Sequence, residues 1–389
     1  AGCFSVNLFI PLIVMRVFFQ SIIAQLLLTP YIAWRGGQAL PAGRVWRYSF
    51  WGCLGAEWLL FWIGYLFHKE LPDAWMIFIL SVCNTWYIAS LYIALSLFCI
   101  ELLCWSHRKR PWFPRWITTH EQPLRRWLFV LIGVADLFLM ITAYQRVAHP
   151  VVRHLTVEIP KQTSLPGDSL RIVMMSDLHI GEMIGKEQVQ RYVELSNAQH
   201  PDLVVLVGDI MDYESRFAEK AHIEEDLQQL QSRYGTYIVL GNHEYRANRF
   251  AKLRWLRRVG TLLVDSVAMP DSAFYLIGRD DLVNKRRAPL QALVHDLDRS
   301  KPWIVLEHQP LSLNESAMNG VDLALHGHTH GGQIWPNSWA IRLAFECPYG
   351  PYEKGPTHFY VSSGIGCAGP PYRVGTSSEL VVLTIHFSH

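Results

Sequence analysis

The stretch LALHGHTHGGQ, Leu323 to Gln333, decides how this chain is read. An apolar run enters it, and His326, His328 and His330 follow within five positions, separated by glycine and threonine. One histidine at the end of a buried strand can be a satisfied core residue. Three in a glycine-flanked loop ask for a metal or an anion.

The same grammar recurs outward from this stretch. LRIVMM runs into SDLHIG, LVVLV into GDIMD, TYIVL into GNHE, and WIVL into EHQP. Runs of four to six apolar residues bounded by glycine read as fully buried strands. Helix-like segments lie between the first three, near 186–199 and 222–233. Strand–helix alternation predicts an α/β domain built on a sheet with helices on both faces. In such sheets, sites form beyond the carboxyl ends of the strands, so five polar clusters at that end can converge on one pocket.

The clusters supply Asp177, His179, Asp209, Asn242, His243, His308, His326, His328 and His330. Carboxylate oxygen, amide oxygen and imidazole nitrogen suit Mn²⁺, Fe or Zn²⁺. One zinc needs only four ligands. Seven or more suit two divalent ions about 3.5–4 Å apart. One carboxylate must then bridge the pair, and Asp209, after a glycine, is the natural choice.

The front of the chain is of another kind. The whole sequence is 50% hydrophobic, too apolar for an ordinary soluble enzyme of 389 residues. Residues 1–149 hold 12 Lys and Arg against 6 Asp and Glu, whereas 150–389 hold 23 against 27. Apolar stretches at Leu8–Trp34, Phe50–Phe67, Ala74–Trp105 and Trp127–Val147 predict about four membrane-spanning helices, since a bilayer core of roughly 30 Å needs about 20 residues. Tyr31, Trp34, Trp51, Trp75, Trp105 and Trp127 sit where interfacial anchors belong. Arg and Lys concentrate in the loops after the first and third stretches. With four spans, those loops are cytoplasmic, and the second half faces outward. Arg16 and Asp136 lie inside apolar stretches, as a buried pair, a headgroup contact or snorkelling side chains.

The quoted residues resemble the calcineurin-like metallophosphoesterase family. Its pattern of D-x-H, G-D, G-N-H-D/E, a lone His and G-H-x-H is met in order. The matching residues are Asp177-Leu-His179, Gly208-Asp209, Gly241-Asn242-His243-Glu244, His308 and Gly327-His328-Thr329-His330. The resemblance covers about residues 170–389. It implies a four-layer αββα sandwich, here preceded by an all-α multi-span membrane domain, with domains at 1–149 and 150–389. It also implies one ion on Asp177, His179, Asp209 and His330, and another on Asp209, Asn242, His308 and His328. In the family, His243 is no ligand but faces the phosphate and helps the leaving group depart. Asp212 looks like its orienting partner, and His326 falls outside the pattern. Two divalent ions lower the pKa of a bridging water and clamp the phosphate oxygens, so no covalent enzyme intermediate is needed.

Finer features, GHTHGGQI, GRDDL at Gly278–Leu282 and PYRVGTSSELVVLTI at Pro371–Ile385, are similar to a membrane-associated bacterial branch. Its members act on lipid-linked phosphates, as UDP-2,3-diacylglucosamine hydrolase-type enzymes do. The resemblance therefore implies an inner-membrane hydrolase of an ester or anhydride in a phospholipid or lipid-linked phosphate, with Mn²⁺ the first choice of metal. The same centre would serve a phosphodiesterase on soluble nucleotides or a protein phosphatase. A degenerate receptor or transporter would not need the intact ligand set. Nothing basic and groove-like points to nucleic acid. The segment RANRFAKLRWLRR, Arg246 to Arg258, reads in two ways. It is a basic amphipathic helix lying on anionic lipid, or a core-packed helix with a solvated basic face. Cys347 and Cys367 could pair in an oxidising compartment, or be unrelated.

Overall fold

The computed structural model describes residues 21–388, apart from 42, 68 and 69. The chain divides into two compact units, Ala1–Ala143 and Tyr144–His389.

Three helices of the first unit, Arg44–Phe67, Asp73–Lys109 and Glu121–Ala148, are long and apolar enough to cross a membrane. They contain three of the four predicted stretches. Of the first stretch, residues 8–20 and Arg16 lie outside the described residues; the rest falls in the π-helical turn Ala24–Leu28 and the helix Thr29–Ala39. Polar side chains turn inward here. Gln25 Nε2 donates to Glu57 Oε1 at 2.6 Å, Tyr31 Oη donates to Glu101 at 2.6 Å, and Arg35 pairs with Glu101. Asp136 is buried.

The second unit carries twelve strands. They are β1 (Val151–Ile159), β2 (Ser169–Met175), β3 (Leu203–Val207), β4 (Thr236–Val239), β5 (Thr261–Leu262), β6 (Ser266–Ala268), β7 (Tyr275–Gly278), β8 (Trp303–Leu306), β9 (Leu323–His326), β10 (Gly350–Lys354), β11 (Thr357–Val361) and β12 (Glu379–Phe387). They form two six-stranded sheets, ordered β1-β12-β2-β3-β4-β5 and β10-β11-β9-β8-β7-β6. In the first, β2, β3, β4 and β5 run parallel and β12 is antiparallel to β2. In the second, β11, β9, β8 and β7 run parallel, closed at each edge by an antiparallel strand.

Strand–helix alternation by itself predicted one sheet covered on both faces. The two-period of the strands explains why there are two. Leu170, Ile172 and Met174 of β2 pack with Val205 and Val207 of β3, and with Ile304, Leu306, Leu323 and Leu325 of the other sheet. The alternate residues Val173, Met175, Val204 and Leu206 pack instead under the helices Lys186–Asn197 and Arg249–Val259. A third cluster joins Ile277, Trp303, Val305 and Phe359 to Leu290 and Val294 of the helix Leu290–Val294. The result is helix, sheet, sheet, helix: the four-layer αββα sandwich implied by the family pattern. The predicted helix near 222–233 is realised only as the short helix Ile223–Leu227; His222, in the left-handed region at φ 51°, separates it from a preceding helix Arg216–Lys220.

Candidate metal centre

The parallel strands β2, β3, β4, β8 and β9 each end at one of the polar clusters, and the structure brings these clusters together. Asp177, His179, Asp209, His243, His308 and His330 are all buried. Asp177 Oδ1 lies 3.3 Å from His330 Nε2 and 3.9 Å from both His179 Nε2 and His308 Nε2. Asp209 Oδ2 lies 3.2 Å from His308 Nε2, 3.8 Å from His179 Nε2 and 3.9 Å from His243 Nε2. Three groups could each hold an ion: Asp177 with His179 and His330, His179 with Asp209 and His243, and Asp209 with His308 and His328. Asp209 belongs to two of them, so one carboxylate faces two neighbouring sets of nitrogen donors.

The donors fit cations on three counts. His308 Nδ1 donates to the Val207 carbonyl at 2.8 Å, which turns the lone pair of Nε2 toward Asp209 Oδ2. Two acceptors in contact need a positive charge between them: a second ring proton or a metal ion. His179 Nε2 and His330 Nε2 likewise face each other at 3.1 Å. The Asn242 amide oxygen is buried without a hydrogen-bond partner among the described residues. An orphaned acceptor of this kind is costly unless something binds it.

The loops are bent to bring these atoms in. Asp177, His179, Asp209, His328 and His330 all have positive φ, between 50° and 74°. For residues with a Cβ this costs about 1–2 kcal/mol each, and such strain gathers at functional sites. Two glycines allow the close approach. A Cβ at Gly241 would overlap Asp209 Oδ1, and one at Gly327 would overlap Asp177 Oδ2.

Asp212 lies between two rings. Its Oδ1 is 2.7 Å from His243 Nδ1 and 3.6 Å from His179 Nδ1. Burial alone would raise its pKa, but the His179 and His243 rings beside it outweigh burial and hold the carboxyl well below the usual range. Nδ1 of His243 is thereby engaged, and Nε2 is left facing the pocket, 2.6 Å from Arg246 Nη1. Burial lowers the pKa of the His243 ring and outweighs Asp209 and Asp212. At His308 the balance reverses: Asp209 and Asp177 overcome burial and push it well above the ordinary value. His328 is driven down by burial to about 3. His326 is a buried ring stacked on Phe359 at 6.1 Å and held neutral by burial, with its pKa down at about 3.

Three residues around the centre escaped the sequence reading of roles. The Glu244 carboxylate accepts from the backbone N–H groups of Asp209, Ile210, Met211 and Gly241 at 2.8–3.0 Å, which ties the second loop to the third. Arg373, in the quoted PYRVG, is fully buried. It donates to the carbonyls of Ser363, Gly364 and Gly366 at 2.6–3.1 Å and lies 3.3 Å from His330 Nδ1. Lys252, in the basic segment, is also fully buried. That segment is the core-packed helix Arg249–Val259: Leu253, Trp255 and Leu256 are buried in the core, and Phe250 alone of its large apolar residues projects, 80% exposed. The lipid-lying reading of this helix is therefore set aside. The spacing 252, 255, 256, 259 is one helical stripe, and it was the available signal for Lys252. Cys347 and Cys367 are buried free thiols.

The calcineurin-like phosphoesterase family model matches residues 170–332. An uncharacterized metallophosphoesterase of Campylobacter jejuni is 37% identical over 61% of this chain and 63% of its own length. A Bos taurus transmembrane protein with metallophosphoesterase domain is 35% identical over 59% of this chain and 56% of its own. An uncharacterized metallophosphoesterase of Aquifex aeolicus is 32% identical over 60% of this chain and 91% of its own. The chain spans just under two thirds of the length of the Campylobacter relative. Five ligand-bearing strand ends, a two-sheet sandwich and a relative matched over nine tenths of its length agree: the chain belongs to the calcineurin-like metallophosphoesterase family.

Proposed function

We propose that this protein is a membrane-bound, dinuclear-metal hydrolase that cleaves a phosphoester or phosphoanhydride bond in a lipid-linked substrate. The observation that carries the reading is the single Asp209 carboxylate, whose Oδ2 faces nitrogen donors from three different loops and which groups with His328 from a fourth. Asp177, His179, Asp209 and His330 would hold one divalent ion, and Asp209, Asn242, His308 and His328 the other, with Mn²⁺ the first choice for oxygen and nitrogen donors. Bound there, the ions supply an acidified water and neutralise charge on the phosphoryl oxygens. His243 faces the substrate through Nε2 and exchanges a proton with the leaving oxygen. Asp212 fixes its tautomer through Nδ1.

The lipid part of the reading is supported by an exposed helix beside the centre. Asn337–Ala344 begins seven positions after His330, and none of its residues is buried. Trp339 is 60% exposed and Leu343, one turn on, 91%. A Trp–Leu pair left in water beside a phosphate-binding centre suits the surface of a bilayer or micelle. The three long apolar helices and the transmembrane relatives support residues 1–149 as the anchor and 150–389 as the catalytic part. The same reading includes a substrate of the UDP-2,3-diacylglucosamine type, and a bacterial inner membrane with the catalytic part on its outer face. Purified protein loaded with Mn²⁺ and offered lipid phosphates in micelles beside soluble esters tests it. Hydrolysis confined to soluble esters, unchanged by detergent concentration, would reject the lipid assignment.

A further inference from the structure

The basic segment after the GNHE loop contains five arginines and one lysine between 246 and 258, and the lysine is the one whose side chain is fully buried. Sinking an ammonium into a core costs several kcal/mol unless its donors are met. Here Nζ donates at 2.7 Å to the carbonyl of Asp212 and at 2.7 Å to the carbonyl of His243. These residues come from different loops, one after β3 and the other after β4, and their side chains meet at 2.7 Å through Asp212 Oδ1 and His243 Nδ1. Glu244 is the complement of Lys252: it collects N–H groups of the same two loops, while the lysine collects their carbonyls.

We propose that Lys252 is a positioning residue for the leaving-group acid. By holding the carbonyls of Asp212 and His243 at one point, it keeps the Asp212 carboxylate on His243 Nδ1, and so keeps Nε2 aimed at the oxygen that departs. The proposal rests on the phosphoesterase reading above and assigns Lys252 no contact with substrate. A misplacement of about 1 Å at a proton-transfer group can cost about 10²-fold.

The test uses the full-length, Mn²⁺-loaded protein and two soluble esters, bis(4-nitrophenyl) phosphate and diphenyl phosphate. Nitrophenolate departs without a proton. Phenolate, whose acid titrates near ~10 as tyrosine does, needs one. Lys252→Met should keep its bound metal and its circular dichroism spectrum, with a lower melting temperature. It should lose about 10²-fold in kcat on diphenyl phosphate and less than about fivefold on the nitrophenyl ester. In a His243→Ala background the same change should cost less than about threefold on either ester, since the group it positions is gone. Equal losses on both esters, or a full additional loss in the His243→Ala background, would overturn the proposal. If Lys252→Met fails to bind metal, Lys252→Gln, which keeps two N–H donors, is measured the same way and decides by the same criterion. Wild-type protein holding two Mn²⁺ but inert to both esters and to lipid phosphates in micelles would overturn the phosphoesterase reading, and the role of Lys252 with it.

Discussion

The two units of this chain invert one another. In the first, large apolar side chains point outward, with Trp127 72% and Phe138 69% exposed, while Gln25, Glu57, Asn84 and Asp136 are buried. In the second, apolar side chains fill three clusters between and around the sheets, and polar ones cover the surface. Burial follows the solvent: an outward Phe in the first unit fits the hydrocarbon that the proposed membrane anchor would meet, whereas an inward Val in the second fits water. The second unit departs from its own rule most densely where Asp177, Asp209, His179, His308 and His330 are buried together. In the first unit Gln25 Nε2 donates to Glu57 Oε1, while Gln25 Oε1 and Glu57 Oε2 find no partner among the described residues; in the second, ligand atoms of several side chains face each other across one centre and call for cations.

Substitutions can break or sharpen that contrast, and the largest effect is expected at the buried exception. Asp209→Asn or His330→Ala should lower metal-dependent hydrolysis at least about 10³-fold, the loss of several kcal/mol of charge stabilisation, while the circular dichroism spectrum is unchanged. Full activity in either variant would undo the ligand assignment. His243→Ala should cost about 10²–10⁴-fold in kcat, with two ions still bound; loss of metal instead would make His243 a ligand. In the ordinary core, Trp255→Ala should destabilise the second unit by about 3–5 kcal/mol, seen as an earlier melt. On the exposed helix, Trp339→Ser with Leu343→Ser should lower activity on micellar lipid phosphate about tenfold and leave a soluble ester untouched. An equal fall on both substrates would assign the helix to the active site rather than to a surface. At the small end, Phe138→Ala in the first unit should change the melt in detergent by no more than about 0.5 kcal/mol. A large shift there would mean that Phe138 packs against protein.

Much of this was legible in the sequence, for a physical reason. A buried parallel strand must be apolar on both faces, so an abrupt switch to Asp, Asn or His at its end stands out; the five such switches mark five loops that the structure brings together. The exceptions are equally physical. Alternation along β2 and β3 does not say what covers each face, so the second sheet was visible only through family resemblance. His222 breaks a helix through backbone conformation, which composition does not announce. Lys252 reads as a solvated cation until its position in the stripe with Trp255, Leu256 and Val259 is noticed. A two-residue frame choice, starting the stripe at Phe250 rather than Lys252, separates an apparent lipid-facing helix from a core-packed one.

The most direct measurement is anomalous scattering from crystals of the Mn²⁺-loaded protein. The account predicts two peaks about 3.5–4 Å apart, one on either side of Asp209 Oδ2, with His330 on one ion and His308 on the other. A single peak, or a pair that Asp209 does not touch, would contradict it.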